Sequence, residues 1–264
     1  MNGRWYGVHA VILTPFTDDE RLDEAALRKH IRFLLDDGGV HGIIPTGSTG
    51  EFASLSEGER KRVVDVTIDE VGGQVPVVVG SAANGTRRTI MYAQYAEQAG
   101  ADGVMIVPPY YCQPDPREIY EHYRGVAEST SIPIMVYNNP ATSGVDIKPD
   151  LFARLADIDN ISYVKEASGD IKRIAAIRRR CGDKLTLFVG CDHVMFESFL
   201  MGAAGWVAGS ANIIPELCVE LFNLVTAGEL DSARALYYRM LPLGDMLELE
   251  GKFVQYLKAG SDIL

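Results

Sequence analysis

Pro76-Val-Val-Val-Gly80, then the fourteen residues from Thr86 to Ala99 closed by Gly100, then Gly103-Val-Met-Ile-Val107: this stretch decides the fold. Short continuous apolar runs suit strands buried on both faces of a parallel sheet, and a glycine just past a helix-length segment marks its C-cap. The unit recurs along the whole chain. Strand candidates fall at 7–13, 42–45, 76–80, 103–107, 133–137, 161–165, 185–189 and 205–208. Helical patterns occupy 22–36, 86–99, 116–129, 148–155, 171–180, 193–201 and 215–227, and Ser56-Glu-Gly-Glu59 reads as a capping box opening one more. Gly38, Gly182 and Gly202 stand at further C-cap positions, and Pro149 and Pro215 in first turns. Eight strands, each followed by a helix, predict an α/β chain folded as a (β/α)₈ TIM barrel. An open doubly wound sheet is the competitor, disfavoured because no Gly-x-Gly-x-x-Gly follows an early strand. Helical stretches at 230–247 and 251–258 exceed what a bare barrel needs. Residues 1–214 are therefore expected to form the barrel core, and 215–264 its last helix and a C-terminal helical extension.

Composition narrows the function classes. The chain has 264 residues, 47% apolar and 23% charged, as in an ordinary globular enzyme. Its net charge of −11 argues against nucleic acid and anionic membrane as partners, while leaving a locally positive site for an anionic substrate open. Cys112, Cys181, Cys191 and Cys218 show no CxxC and no metal-ligand spacing, so free thiols in a reducing compartment are expected. The first residues form no signal-peptide core and no apolar run reaches membrane-spanning length. A cytoplasmic, soluble chain is the expectation.

In a barrel the chemistry gathers at the C-terminal ends of the strands. Those ends read Thr46-Gly-Ser-Thr-Gly-Glu51, Ser81-Ala-Ala-Asn84, Pro108-Pro-Tyr-Tyr111, Tyr137-Asn-Asn-Pro140, Lys165-Glu166, Gly190-Cys-Asp192 and Gly209-Ser-Ala-Asn212. Lys165 closes the run Ile161-Ser-Tyr-Val-Lys165. A lysine just past a strand is ordinarily solvated. At the inner end of a buried strand, however, desolvation favours the neutral amine, a nucleophile toward ketones. Gly47, Ser48, Thr49 and Gly50 offer hydroxyls and closely spaced N–H groups for a small anion, although such clusters are commonly plain turns. Tyr137 suits a proton shuttle or a packed aromatic. Gly209-Ser210 suits a phosphate cradle or a close-approach glycine. The five histidines do not cluster, which argues against a metal-dependent aldolase.

Five spaced motifs carry a family resemblance: Thr14-Pro-Phe16, Gly47-Ser-Thr-Gly-Glu51, Pro109-Tyr-Tyr111, Tyr137-Asn-x-Pro140 and Lys165-Glu-x-Ser-Gly169. From about Gly7 to about Leu247 the chain resembles the dihydrodipicolinate synthase / N-acetylneuraminate lyase family of Schiff-base-forming, class I lyases. The resemblance implies a barrel with a C-terminal helical extension, no metal or organic cofactor, and a homotetramer built as a dimer of dimers. Members commonly continue past the position of Leu264, so a short extension is expected. The resemblance further implies that Lys165 forms an imine with pyruvate or another 2-oxo acid and that Tyr137 relays protons. Ser48 and Thr49 would hold the carboxylate, Thr49 linking Tyr137 to a Tyr111 donated by the neighbouring subunit. Gly47, Gly50, Thr142, Gly190, Asp192, Val207, Gly209 and Ser210 complete the substrate-binding set it implies.

Three departures shape the substrate expectation. Dihydrodipicolinate synthases carry an arginine where this chain has Thr142, and a guanidinium hydrogen bond to a carboxylate is worth about 1.5–3 kcal/mol. The sialic acid lyase branch has a threonine at the position of Ala167, and an acidic pair where this chain has Asp192-His193. A 2-keto-3-deoxy sugar acid, cleaved or dehydrated through the imine, is therefore the first expectation. Condensation of pyruvate with aspartate semialdehyde, or N-acetylneuraminate lyase-like cleavage, are the enzymatic alternatives. A phosphate-binding barrel using Gly209-Ser210 and a non-catalytic 2-oxo acid binder are the alternatives of other kinds.

Overall fold

Every stretch read as a strand is one in the computed structural model, which describes residues 4–264. The strands are β1 (Gly7–Val11), β2 (Gly42–Ile44), β3 (Val78–Gly80), β4 (Gly103–Ile106), β5 (Ile134–Asn138), β6 (Ile161–Glu166), β7 (Thr186–Val189) and β8 (Gly205–Ala208). All pair in parallel, in the order β2-β1-β8-β7-β6-β5-β4-β3. The two ends of that order meet: Ile43 bridges Val77, and the N–H groups of Ile43 and Gly80 donate to the carbonyls of Pro76 and Pro45. The sheet is closed, which leaves no edge to protect.

The helices are α1 (Glu24–Arg32), α2 (Glu57–Val71), α3 (Thr86–Ala99), α4 (Pro116–Ala127), α5 (Pro140–Ser143), α6 (Pro149–Leu155), α7 (Lys172–Cys181), α8 (Met195–Leu200), α9 (Pro215–Ala227), α10 (Leu230–Leu249) and α11 (Phe253–Ile263). Their starts follow from local chemistry. Asp23 caps α1 by accepting from Ala26 N, Ser56 and Glu59 form the expected capping box on α2, and Pro149 and Pro215 occupy first turns. Two details differ from the sequence reading. The helix expected at 22–36 gives way after Arg32 to a wider π turn, Phe33–Asp37, which Gly38 caps as read and the left-handed Gly39 follows. The single turn α5 was not expected; Asn139 caps it and Pro140 opens it.

Packing divides at the barrel wall. Outward-facing strand residues such as Val8, Val104 and Val164 pack with Leu27, Ile31, Tyr123, Phe152 and Ile177 of the helices. Each such side chain stabilises the fold by about 1.5–3 kcal/mol when fully buried. Inward-facing residues form a separate cluster that includes Val11, Ile44, Val78, Met105, Met135 and Val207. At its lower end Trp5 stacks on Tyr163 at 4.0 Å and His9 meets Phe188 edge-on at 5.0 Å. Glycines make room for these rings: a Cβ on Gly205 would lie 2.3 Å from Phe188, and one on Gly42 2.4 Å from His9.

After α9 the chain crosses to the opposite end. Leu13, Leu247 and Leu257 form a small core of their own, joined by Ile213, Leu243, Phe253 and Val254. Helices α10 and α11 thereby cover the C-terminal mouth of the barrel. Among the described residues no helix is long and apolar enough to cross a membrane.

Candidate active site

The period-two alternation of β6 sends Lys165 into the barrel and Glu166 out of it. Lys165 is only 4% exposed, and its Nζ lies 4.0 Å from the centroid of the Tyr137 ring on the adjoining β5. Strand register enforces the meeting, since Tyr137 and Lys165 are direct neighbours across the ladder. Gly190, just past β7, leaves the lysine its space: a Cβ there would sit 2.7 Å from Lys165 Cε.

Outside the wall, a polar network fixes both strand ends. Asn138 donates to Glu166 at 3.0 Å and to Asp146 at 3.2 Å, and its carbonyl accepts from Ile147 N at 2.9 Å. Arg173 pairs with Asp146 at 2.6 Å, holding that carboxyl well below the usual range. Burial instead pushes Glu166 up, against the lowering effect of Ser168 and Asn138.

Lys165 and Tyr137 open into a cavity of about 540 Å³. Ser48, Thr49, Thr142, Gly190, Val207 and Gly209 also line it. The Tyr137 hydroxyl accepts from Asn139 Nδ2 at 2.8 Å, and Asn139 in turn accepts from Thr142 N at 3.2 Å. Among the described residues Thr49 makes no hydrogen bond to Tyr137; Asn139 holds that place. Tyr111 is 84% exposed, with its N–H on Asn84, and does not reach the cavity of its own chain. Gly47 and Gly50 shape the loop rather than line the cavity. A Cβ on Gly47 would lie 2.7 Å from Val11, and one on Gly50 3.1 Å from the Ile12 carbonyl. Thr14 ties that loop to β1 through the Gly50 carbonyl at 2.8 Å.

The strongest revision concerns Gly209-Ser210. Both N–H groups and the Ser210 hydroxyl donate to the buried Asp192 carboxylate at 2.7–3.2 Å. The N–H groups offered as a phosphate cradle already hold the Asp192 carboxyl, and Gly209 is the close-approach glycine that the sequence also offered: a Cβ there would lie 2.3 Å from the Phe253 ring. Asp192 and Ser210 lie behind the cavity wall and shape it through Gly209.

Helix α10 supplies what the strand ends did not suggest. Gly244 packs so closely on the β7 loop that a Cβ would sit 2.8 Å from the Asp192 carbonyl. One turn later Glu248 reaches the cavity and accepts from Asp192 N at 2.7 Å. Burial, and then the neighbouring Asp192 charge, pushes Glu248 up to about 7; Lys165 opposes that rise. Burial pushes Asp192 up as well, against the lowering effect of the Ser210 and Gly209 donors. Glu248, Asn139 and the α11 residue Phe253 were missed at sequence level. The one available signal was a glycine inside a long helical pattern.

Cys191, His193 and Glu248 converge here, each offering a ligand-type atom within 4.8 Å of the others. This contrasts with the scattered histidines and cysteines of the linear sequence, because Glu248 comes from α10.

The sequence pattern of the Dihydrodipicolinate synthetase family matches residues 4–264. The chain is 41% identical to a 4-hydroxy-tetrahydrodipicolinate synthase of Syntrophobacter fumaroxidans, over 90% of this chain and 81% of that one. It is 40% identical to the enzyme of the same name from Methanothrix thermoacetophila, over 92% and 82%. The crystal structure of a dihydrodipicolinate synthase from Acinetobacter baumannii complexed with pyruvate superposes with a TM-score of 0.92 at 31% identity, covering 96% of this chain and 87% of that one.

Proposed function

The chain belongs to the dihydrodipicolinate synthetase family, and from that premise we propose how its own residues run the chemistry. It is a metal-independent, class I aldolase-type lyase that uses pyruvate through a Schiff base. The observation that carries the proposal is the buried pair of Lys165 Nζ and the Tyr137 ring, 4.0 Å apart at the base of the cavity. Lys165 is assigned as the amine. In its neutral form it attacks the keto carbon, and the carbinolamine loses water to leave an iminium. That cation is an electron sink: it acidifies the adjoining carbon, or accepts the electrons of the next carbon–carbon bond when that bond breaks.

Tyr137 is assigned as the acid–base group, oriented by Asn139. Ser48 and Thr49 are assigned to the 2-oxo acid's carboxylate. Gly190 and Gly209 act by leaving room, and Val207 by packing against the reacting end. Tyr111, exposed on its own chain, suits a site completed across a homo-oligomer interface. Residues 215–264, which bring Glu248 and Phe253 to the mouth, are taken as the unit that closes the barrel formed by the residues before them. The acidic surface and unpaired thiols suit a reducing, cytoplasmic setting.

The second half of the reaction is argued from charge. No arginine lines the cavity among the described residues, and Glu248 adds a carboxylate. A second anionic group is poorly served there, whereas hydroxyls find Thr142, Asn139 and Glu248. We therefore favour cleavage or dehydration of a 2-keto-3-deoxy sugar acid. The names of the relatives favour the second reading, condensation of pyruvate with aspartate semialdehyde.

Parallel assays separate the two readings. Turnover of 2-keto-3-deoxy acids with little condensation is expected, and Thr142→Arg should raise condensation by about 10- to 100-fold, the worth of one charge-assisted hydrogen bond. Efficient condensation by the unmodified chain overturns the sugar-acid reading in favour of the second.

A further inference from the structure

At the mouth of the cavity, Cys191, His193 and Glu248 form a cluster that takes no part in forming the imine. We propose that these three side chains bind one divalent ion of the zinc class, and that the bound ion shuts off imine formation at Lys165. The second half of this inference rests on the Schiff-base reading; the first does not.

The donor set is selective. A thiol, an imidazole and a carboxylate together suit a borderline-soft ion such as Zn²⁺ far better than Mg²⁺ or Ca²⁺, which take oxygen ligands. The three ligand-type atoms lie within 4.8 Å of one another. A tetrahedral zinc with bonds of about 2.0–2.3 Å spaces its ligand atoms roughly 3.3–3.8 Å apart. Closing the three atoms from within 4.8 Å to that spacing would take movements of about an ångström.

The supporting shell is in place. Glu248 is held through one carboxylate oxygen by Asp192 N at 2.7 Å, which leaves its second oxygen to bind. The backbone of His193 is pinned by the Tyr237 hydroxyl on its carbonyl at 2.8 Å and by Gly244 against its Cα. His193 Nδ1 is enclosed and finds no hydrogen-bond partner among the described residues. An enclosed ring nitrogen without a partner costs free energy, and a metal would remove that cost. Cys191 is 5% exposed and faces the barrel interior. Burial pushes its thiol up, so the free side chain is protonated. Metal binding would displace that proton to solvent and leave a thiolate.

Three protein ligands leave a fourth position, and it opens on the cavity that Lys165 shares. Lys165 already acts electrostatically on both Cys191 and Glu248. With a thiolate and a carboxylate bound, the ion would neutralise the Glu248 charge that favours a cation at Lys165, and its open position would compete for the 2-oxo acid's carboxylate.

Cobalt(II) titration of the full chain reads the site directly. One equivalent should bind with a near-ultraviolet thiolate-to-cobalt charge-transfer band, and zinc should bleach it. Cys191→Ser should abolish the band, Cys112→Ser should leave it intact, and His193→Ala should weaken binding by at least about 10-fold. Absence of the band, its survival in Cys191→Ser, or its loss in Cys112→Ser overturns the metal site. Borohydride trapping of pyruvate is the second arm. Zinc should cut the trapped adduct at least tenfold, a chelator should restore it, and His193→Ala should trap equally with and without zinc. Undiminished trapping at saturating zinc overturns the inhibitory half. No trapping under any condition sinks the imine reading and leaves the cobalt result to stand by itself.

Discussion

The floor and the mouth of the barrel are both buried, and both rely on glycine to admit something large. At the floor Gly205 and Gly42 make way for the rings of Phe188 and His9. At the mouth Gly190 makes way for the chain of Lys165, and Gly244 for the backbone of the β7 loop. The occupants decide the outcome. Rigid aromatic rings close the floor, and His9 there has two ring nitrogens without partners among the described residues, held neutral by burial. A flexible lysine leaves a cavity at the mouth, and there three donor groups converge on the buried Asp192 carboxyl, against the burial that pushes it up. Burial alone therefore does not make a reactive site; the supply of fixed hydrogen bonds around buried charge does.

The largest expected effect belongs to the mouth. Tyr137→Phe should slow turnover by about 10²–10⁴-fold, the range for a positioned acid–base group. Its melting temperature should stay unchanged, because only a hydroxyl is removed. Steady-state kinetics with a thermal melt on one sample checks both, and retained turnover would reduce Tyr137 to packing.

A pH titration of stability sets the two regions against each other. His9, held down to about 3, and His122, held down to about 4, bind protons more readily unfolded than folded, burial being the main cause. Their stabilisation is full above the unfolded value near 6.5 and is lost as pH falls toward the folded values. Glu248, raised to about 7, works in the opposite sense. The folded state then binds the extra proton, so stability from this group grows as pH falls from 7 toward its unfolded value of 4.5. Each group contributes a slope of at most about 1.4 kcal/mol per pH unit. Between pH 4.5 and 6.5 Glu248 at the mouth partly cancels the two histidines, of which only His9 belongs to the floor. Glu248→Gln should steepen acid destabilisation over that window, and His9→Leu should flatten it. Denaturant melts across the window would show it; an unchanged slope in Glu248→Gln contradicts the assignment.

The smallest effects come from filling the glycines. Gly205→Ala should destabilise by about 1–3 kcal/mol, because the Phe188 ring has nowhere to go. Imine trapping by the folded fraction should be untouched. Gly190→Ala should cost about as much, because its Cβ would also meet the fixed Ala167 Cβ at 2.7 Å, and it should in addition slow trapping by crowding Lys165. Equal trapping by the two variants would mean that the two glycines serve the same purpose.

Much of this was legible in the letters. All eight strands, and Lys165 at the end of one of them, follow from apolar runs punctuated by glycine, because strands buried on both faces tolerate little else. Thr86–Ala99 and Pro215–Ala227 form as read, since their caps are local. The π turn at Phe33–Asp37 leaves no comparable local mark. Glu248 was invisible for another reason. Its role depends on Gly244 meeting the Asp192 backbone across more than fifty positions of chain, and no local pattern encodes that approach. At Gly209-Ser210 the close-approach glycine is what the structure shows, and the phosphate alternative arose because a cradle of N–H groups looks the same whether it meets a ligand or Asp192.

The central claim is that the lysine at the mouth, and no other, is the amine that joins the substrate. Incubation with pyruvate and borohydride, followed by intact mass and peptide mapping, tests it most directly. One reduced pyruvate adduct per chain on Lys165 is expected, and none in Lys165→Arg, whose guanidinium stays protonated. An adduct on any other lysine, or one that survives Lys165→Arg, would contradict it.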